Sequence, residues 1–411
     1  MHKNTFSLQE SFESKMSKQE EQNYLLILEE LRKIANSFVP EGSNEEAMLH
    51  SWLHTFLYAP NLKLFPTTEN IKKSISKVLD MKNAKYLRAL YKNQILKVVF
   101  PPPKNIDFTF IDLFAGIGGM RLGFQEAGGL CVFSSEWDNH AQDTYFQNFG
   151  ERPFGDITKI NERDIPDHDV LIAGFPCQPF SHAGLKLGLE DTRGTLFFDI
   201  QRIIKTKRPK AFLLENVKGL KSHEKGRTFS IMLDLLNQIG YEITFEVLSS
   251  KDFGVPQNRQ RIYIIGFRKD LNRKFIFSKP DYIPTKLSDI LEGNVDSKFT
   301  ITDKMWVGHR ERKERNKKNG KGFGFSLFEP ESIYVNTISA RYWKDGSEIL
   351  IAQKDKNPRT LTPREAARLQ GFPDDFILNK SKKQAYKQFG NSVTVKVISY
   401  LAEKIKYSIL N

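Results

Sequence analysis

Phe110-Ile-Asp-Leu-Phe-Ala-Gly-Ile-Gly-Gly-Met-Arg121 decides how this chain is read. An apolar run ends in three glycines, Gly116, Gly118 and Gly119, and a helical pattern opens behind them. A glycine turn between strand and helix lets a backbone approach a ligand closely at the carboxyl edge of a sheet. Five further apolar runs follow, at 130–134, 169–175, 211–215, 243–248 and 261–267. Amphipathic stretches at 196–204 and 229–239 lie between them. This alternation predicts an α/β fold, a mostly parallel sheet with helices on both faces.

The flanks of that block are different. Residues 1–105 carry helical spacing over 24–34, 49–57 and 71–90, and predict a helical N-terminal extension. Pro101-Pro102-Pro103 cannot continue a helix and marks the boundary. The catalytic block spans 106–270. From 271 the alternation is lost in a Lys-, Arg-, Gly- and aromatic-rich stretch, and residues 271–380 form a smaller unit. Within it Thr362 is suited to cap a helix whose first residue is Pro363. Residues 381–411 end the chain in a helix over 393–409.

Formal net charge is +13 over 411 residues, which favours a polyanionic partner. Cys131 and Cys177 are the only cysteines, too few for a disulfide framework and suited to a reducing cytoplasm. No apolar run reaches the roughly 18 residues of a membrane span, and the N-terminus lacks a signal-peptide core.

Each predicted strand end carries polar chemistry. Ser135-Glu136-Trp137 offers a carboxylate for ribose hydroxyls and an indole. Gly155-Asp156-Ile157-Thr158 puts a second acid at a strand end, suited to an adenine amino group. Gly174-Phe-Pro-Cys-Gln-Pro-Phe-Ser181 sets Cys177 between prolines, a place for a nucleophile rather than for packing. Cys131, in Leu130-Cys-Val-Phe133, reads as a core thiol. Glu215, in Phe212-Leu-Leu-Glu-Asn-Val217, falls at the same edge as Cys177 if the two strands are adjacent and parallel. Arg259 and Arg261, one strand period apart, are suited to a carbonyl oxygen or a phosphate.

Taken in order, six segments resemble the DNA (cytosine-5)-methyltransferase family. They are Asp112-Leu-Phe-Ala-Gly-Ile-Gly-Gly119, Gly174-Phe-Pro-Cys-Gln-Pro-Phe-Ser181, Glu215-Asn-Val217, Gln257-Asn-Arg-Gln-Arg261, Arg364-Glu-Ala-Ala-Arg-Leu-Gln-Gly-Phe372 and Gln388-Phe-Gly-Asn-Ser-Val393. The resemblance covers about residues 107–411. It implies a Rossmann-like domain using S-adenosyl-L-methionine, a target-recognition domain, and double-stranded DNA as substrate. A bacterial restriction–modification enzyme is implied, monomeric, working beside an endonuclease without a stable complex. By resemblance Cys177, Glu215, Arg259 and Arg261 are catalytic. Phe114, Gly116, Gly118, Glu136, Trp137, Asp156, Ile157, Pro176, Leu196, Asn391 and Val393 hold the cofactor. Arg259 and Ser181 contact the target nucleotide's backbone, and no metal is required.

The segments 320–325 and 339–348 resemble the branch that methylates sites beginning with CC, such as CCGG or CCNGG. Thr337 is expected at the target phosphate and Arg341 at a guanine edge. Lys317 and Lys318 lie in the basic run 310–321, which serves phosphates or is a solvated helix face. The rival functions are a tRNA cytosine-5 methyltransferase and a non-catalytic DNA-binding regulator. The extension is open to three readings: a structural cap, a second DNA-binding unit, or a regulator of a linked gene.

Cys177→Ser is expected to abolish methyl transfer in a folded protein, and Cys131→Ser to keep most of it. Radiolabelled methyl transfer to DNA, with circular dichroism as the folding control, reads both.

Overall fold

The computed structural model describes residues 18–58, 98–176, 196–278, 280–281, 283–322 and 324–411. Its centre is a six-stranded sheet built from β1 (Phe108–Leu113), β2 (Gly129–Ser135), β3 (Val170–Gly174), β4 (Ala211–Val217), β5 (Tyr241–Ser249) and β6 (Gln260–Arg268). The spatial order is β2-β1-β3-β4-β6-β5. The pairs β1–β2, β1–β3 and β3–β4 are parallel, whereas β6 runs antiparallel to both β4 and β5. Three of the five pairings are thus parallel and β6 alone runs against the other five strands, so the sheet is mostly parallel, as the alternation predicts. A run of β-branched and aromatic residues reads the same in either direction, so the reversal leaves no periodic signature.

Strand order reverses between β1 and β3, and in such sheets ligands bind in the crevice outside the carboxyl ends at that point. The glycine turn follows β1 there and opens helix α3 (Gly119–Glu126). On the same face the last helix, α10 (Val395–Leu410), packs across α3. Gly123 makes the crossing possible, because a Cβ there would lie 2.7 Å from the Ser399 backbone nitrogen. The sequence places this helix correctly; it starts two residues later than 393 because Thr394 is its N-cap. Helix α4 (Asn139–Phe149) follows β2, and helices α5 (Leu196–Lys207) and α6 (Arg227–Gln238) contribute Ile200, Ile203, Met232 and Leu236 to the opposite face.

The extension is built from α1 (Lys18–Asn36) and α2 (Glu45–Tyr58). Ile27, Leu31, Met48, Leu49 and Trp52 join one core cluster with Val132, Phe133, Phe154 and Ile157 of the sheet domain. These helices therefore pack against the β2 side of the sheet domain. The helical stretch expected over 71–90 lies outside the described residues. The proline run is docked rather than free, since the Gln125 amide donates to the carbonyls of Phe100 and Pro101.

Beyond 271 a small sheet, β7 (Leu327–Phe328), β8 (Leu350–Gln353) and β9 (Lys356–Arg359), carries helix α7 (Asp303–Lys318). Helix α8 (Pro363–Leu369) starts as the sequence indicates: the Thr362 hydroxyl accepts from Glu365 N–H while the Glu365 carboxylate accepts from Thr362 N–H. Helix α9 (Lys382–Asn391) then leads into α10. Among the described residues no helix is long and apolar enough to cross a membrane.

Leu31 is fully buried between the extension and the sheet domain. Leu31→Ala is expected to cost about 2–5 kcal/mol of stability, as large-to-small core changes do. Urea unfolding of the full chain measures it, and a loss near zero would show that the extension does not share the core.

Candidate active site

The end of β3 sets the site. Gly174 pairs with Glu215 across the parallel β3–β4 ladder, and the Asn216 amide donates to the Phe175 carbonyl at 2.9 Å. Cys177 and Ser181 lie outside the described residues. Glu215 is almost completely buried, and Arg261 from the antiparallel β6 reaches its Oε1 at 3.1 Å. Burial raises the Glu215 carboxyl above its ordinary range, against the pull first of Arg261 and then of Arg259. A carboxyl raised this way is suited to share a proton with a ring nitrogen.

Arg259 stands just before β6. It is buried, and its guanidinium donates to the carbonyls of Ile338 (3.3 Å), Gly390 (3.1 Å) and Ser392 (2.7 Å). Burial, and then Arg261, lower it to about 9. Its two terminal nitrogens thus bond protein carbonyls, whereas its buried Nε has no partner among the described residues. Arg259 holds the site together beside Glu215.

The glycine turn and the second strand end form one unit. Phe114 and Gly116 both take φ of 56°, and Gly118 takes 86°. The Gly116 N–H donates to Glu136 Oε2 at 2.8 Å, and the Asp138 N–H to Oε1 at 2.8 Å. Glu136 is buried, which raises its carboxyl, while those two hydrogen bonds pull it back. Trp137 is 81% exposed, and a Cβ built on Gly116 meets nothing within 4 Å. A fixed carboxylate, an open glycine cradle and a free indole fit a nucleoside.

Asp156 departs from the strand end expected of it. Phe154 makes only an isolated bridge to Ser135, and Asp156 caps a single 3-10 turn, Ile157–Lys159, by accepting from Thr158 N–H at 3.0 Å. Ile157 is buried in the core cluster shared with the extension. Pro176 is exposed, and Leu196 is the half-buried first residue of α5. Asn391 is exposed at the end of α9. Val393 is brought to the turn as expected: a Cβ on Gly119 would lie 2.7 Å from Ser392 Oγ and 3.0 Å from Val393. A Cβ on Gly174 would lie 3.6 Å from Glu215 Oε2, 3.6 Å from Met120 Sδ and 4.0 Å from Val393. The cofactor-side and acid-side residues therefore meet.

Thr337 belongs to a segment that docks on the start of β6. Its hydroxyl donates to the Asn258 carbonyl at 2.9 Å, and Ile338 N–H donates to the Gln257 side chain at 3.0 Å. Arg341 is exposed, as are Lys317 and Lys318 in the last turn of α7. Cys131 is the core thiol the sequence indicates: it is buried, which pushes it up to about 12.

Two buried polar groups near the turn were given no role in the sequence. Arg121 of α3 bonds Gln125, Tyr145 and Glu151 at full burial. Asp112, fully buried on β1, is raised to about 8 by that burial. The only available signal was a charged residue within an apolar run.

Residues 108–407 match the family model described as C-5 cytosine-specific DNA methylase. The chain is 60% identical over 310 residues to the type II methyltransferase M.SsoII of Shigella sonnei, covering 74% of this chain and 82% of that protein. It is equally identical, again over 310 residues, to M1.ScrFI of Lactococcus lactis subsp. cremoris, covering 74% and 80%. Among solved structures, a Spodoptera frugiperda DNMT2 mutant superposes with a TM-score of 0.59 at 25% identity, covering 72% of this chain and 99% of that one.

The Asp112 shift has a sign that can be tested. An unfolded aspartate ionises near pH 3.9, whereas the folded one stays neutral up to about 8. The stabilisation this gives is complete below the unfolded value and is lost as pH rises through about 8. Thermal melts of Asp112→Asn and the parent should therefore diverge in the variant's favour between about pH 4 and 8. A melting difference constant over that range would contradict the burial argument.

Proposed function

The chain belongs to the C-5 cytosine-specific DNA methylase family and is a DNA (cytosine-5)-methyltransferase, and we propose that it modifies one cytosine in a short duplex site beginning with CC, CCGG or CCNGG. The observation that carries the chemistry is Glu215, buried against Arg261 and level with the end of β3.

Cytosine C5 is a poor nucleophile until C6 is saturated. Cys177 adds as thiolate to C6, and the displaced electron pair moves toward N3, where Glu215 supplies a proton. Arg261 binds the base O2 while keeping Glu215 oriented. The enamine carbon C5 then attacks. S-adenosyl-L-methionine, when bound, supplies the methyl group. Loss of the C5 proton to a base, departure of Cys177 from C6 and return of the N3 proton to Glu215 restore the aromatic ring.

Gly116, Gly118, Glu136, Trp137, Asp156, Pro176, Leu196, Asn391 and Val393 would hold the cofactor, with Phe114 and Ile157 shaping its pocket. The target atoms lie within the base stack, so the cytosine flips out to reach the site.

Recognition rests with the segment from 271 to 380. Thr337 is already docked beside β6, and Ser181 completes the contact to the target's backbone. Arg341 reads a base edge, and Lys317 and Lys318 take phosphates from the exposed end of α7. The enzyme works in the cytoplasm as a monomer, on double-stranded DNA, and protects it from a partner endonuclease with which it forms no stable complex.

Bisulfite sequencing of plasmid from cells expressing the protein tests this. Full protection of one cytosine in every CCGG or every CCNGG, lost in Glu215→Ala, is the expected result. Protection at another sequence would overturn the site, and no protection in any context would overturn the activity.

A further inference from the structure

The family match begins at Phe108, yet the extension before it reaches into the cofactor side of the domain. Between α1 and α2 the chain makes a tight turn. Ser43 N–H donates to the Pro40 carbonyl at 3.0 Å, and Gly42 has φ of 79°, as the third position of a type II turn requires. Asn44 then caps α2 by accepting from Ala47 N–H.

That turn sits directly on the loop carrying Asp156. Gly155 N–H donates to Ser43 Oγ at 3.2 Å. The Gly42 carbonyl approaches so closely that a Cβ on Gly155 would lie 1.7 Å from it, so only glycine fits. Contacts continue along the same loop on both sides. Glu41 pairs with Lys159 at 3.0 Å, Arg152 N–H donates to His50 Nδ1 at 3.3 Å, and His54 lies 3.2 Å from Glu151. Glu151 in turn holds the buried Arg121 of α3, the helix that opens at the glycine turn. The extension thus grips residues 151–159 at four points.

We propose that the turn at Pro40–Ser43 is a positioning wall for the adenine end of the cofactor pocket, so that the extension sets cofactor affinity. The inference rests on the reading of Asp156 as a cofactor residue. Ser43 touches no ligand itself: it holds Gly155, and through it the cap that orients Asp156.

The test is calorimetric titration of the full-length protein with S-adenosylhomocysteine, alongside steady-state kinetics. Ser43→Ala leaves a buried N–H without its acceptor, and cofactor affinity should fall by about tenfold. KM for the cofactor should rise in step, while kcat and KM for DNA stay parental. Ser43→Thr should restore affinity, and Gly155→Ala, if folded by thermal melt, should lose more than Ser43→Ala. Parental affinity in Ser43→Ala, with Asp156→Ala clearly weakened, overturns the wall and leaves the pocket standing. Parental affinity in Asp156→Ala overturns the pocket reading and the wall with it. Equal losses in cofactor and DNA binding would show a general stability role and overturn the proposal.

Discussion

Three stretches of chain converge on the guanidinium of Arg259. Ile338 is 79 residues away in sequence, Gly390 is 131 and Ser392 is 133, and each offers it a backbone carbonyl. A buried cation without partners is costly, and buried carbonyls without donors are costly too. The arrangement therefore holds only when the segment after 271, the end of α9 and the start of β6 are all in place. Gln257 reinforces it, accepting from Ile338 N–H and donating to the Leu369 carbonyl. The site is assembled by the completed fold rather than by one motif.

This clamp has a chemical consequence. With Ser392 held, Val393 meets Gly119 and approaches Gly174, and Gly174 lies level with Glu215. The glycine turn and the acid are thus parts of one rigid corner at the switch point of the sheet. Burial raises the Glu215 carboxyl, and Arg261 and then Arg259 pull it back. That balance suits a group that must release a proton to a base nitrogen and take it back.

The parts of the molecule set by local physics were legible in the sequence. The strand–glycine–helix step at 110–121, the core character of Cys131 and the Thr362–Glu365 capping box all follow from short-range rules. Other features needed contacts that sequence order hides. Arg259 and Arg261 are alike by spacing, yet one is turned into the protein and the other faces Glu215, because carbonyls over 70 residues away decide it. Asp156 looked like a strand end because Phe154 and Ile157 are apolar, but their partners are the helices of the extension as much as the sheet. The basic run at 310–321 reads equally as a DNA contact or a solvated face, and its exposure on α7 is compatible with both.

The account stands most directly on Glu215 protonating the base once C6 has been attacked. Exchange of the cytosine C5 hydrogen with solvent reports that step without any methyl donor. Duplex DNA tritiated at C5 of the target cytosine should release its label with the parent enzyme, whereas Glu215→Gln, folded and binding DNA, should lose release by about a hundredfold or more. Release at the parental rate in Glu215→Gln would contradict the account.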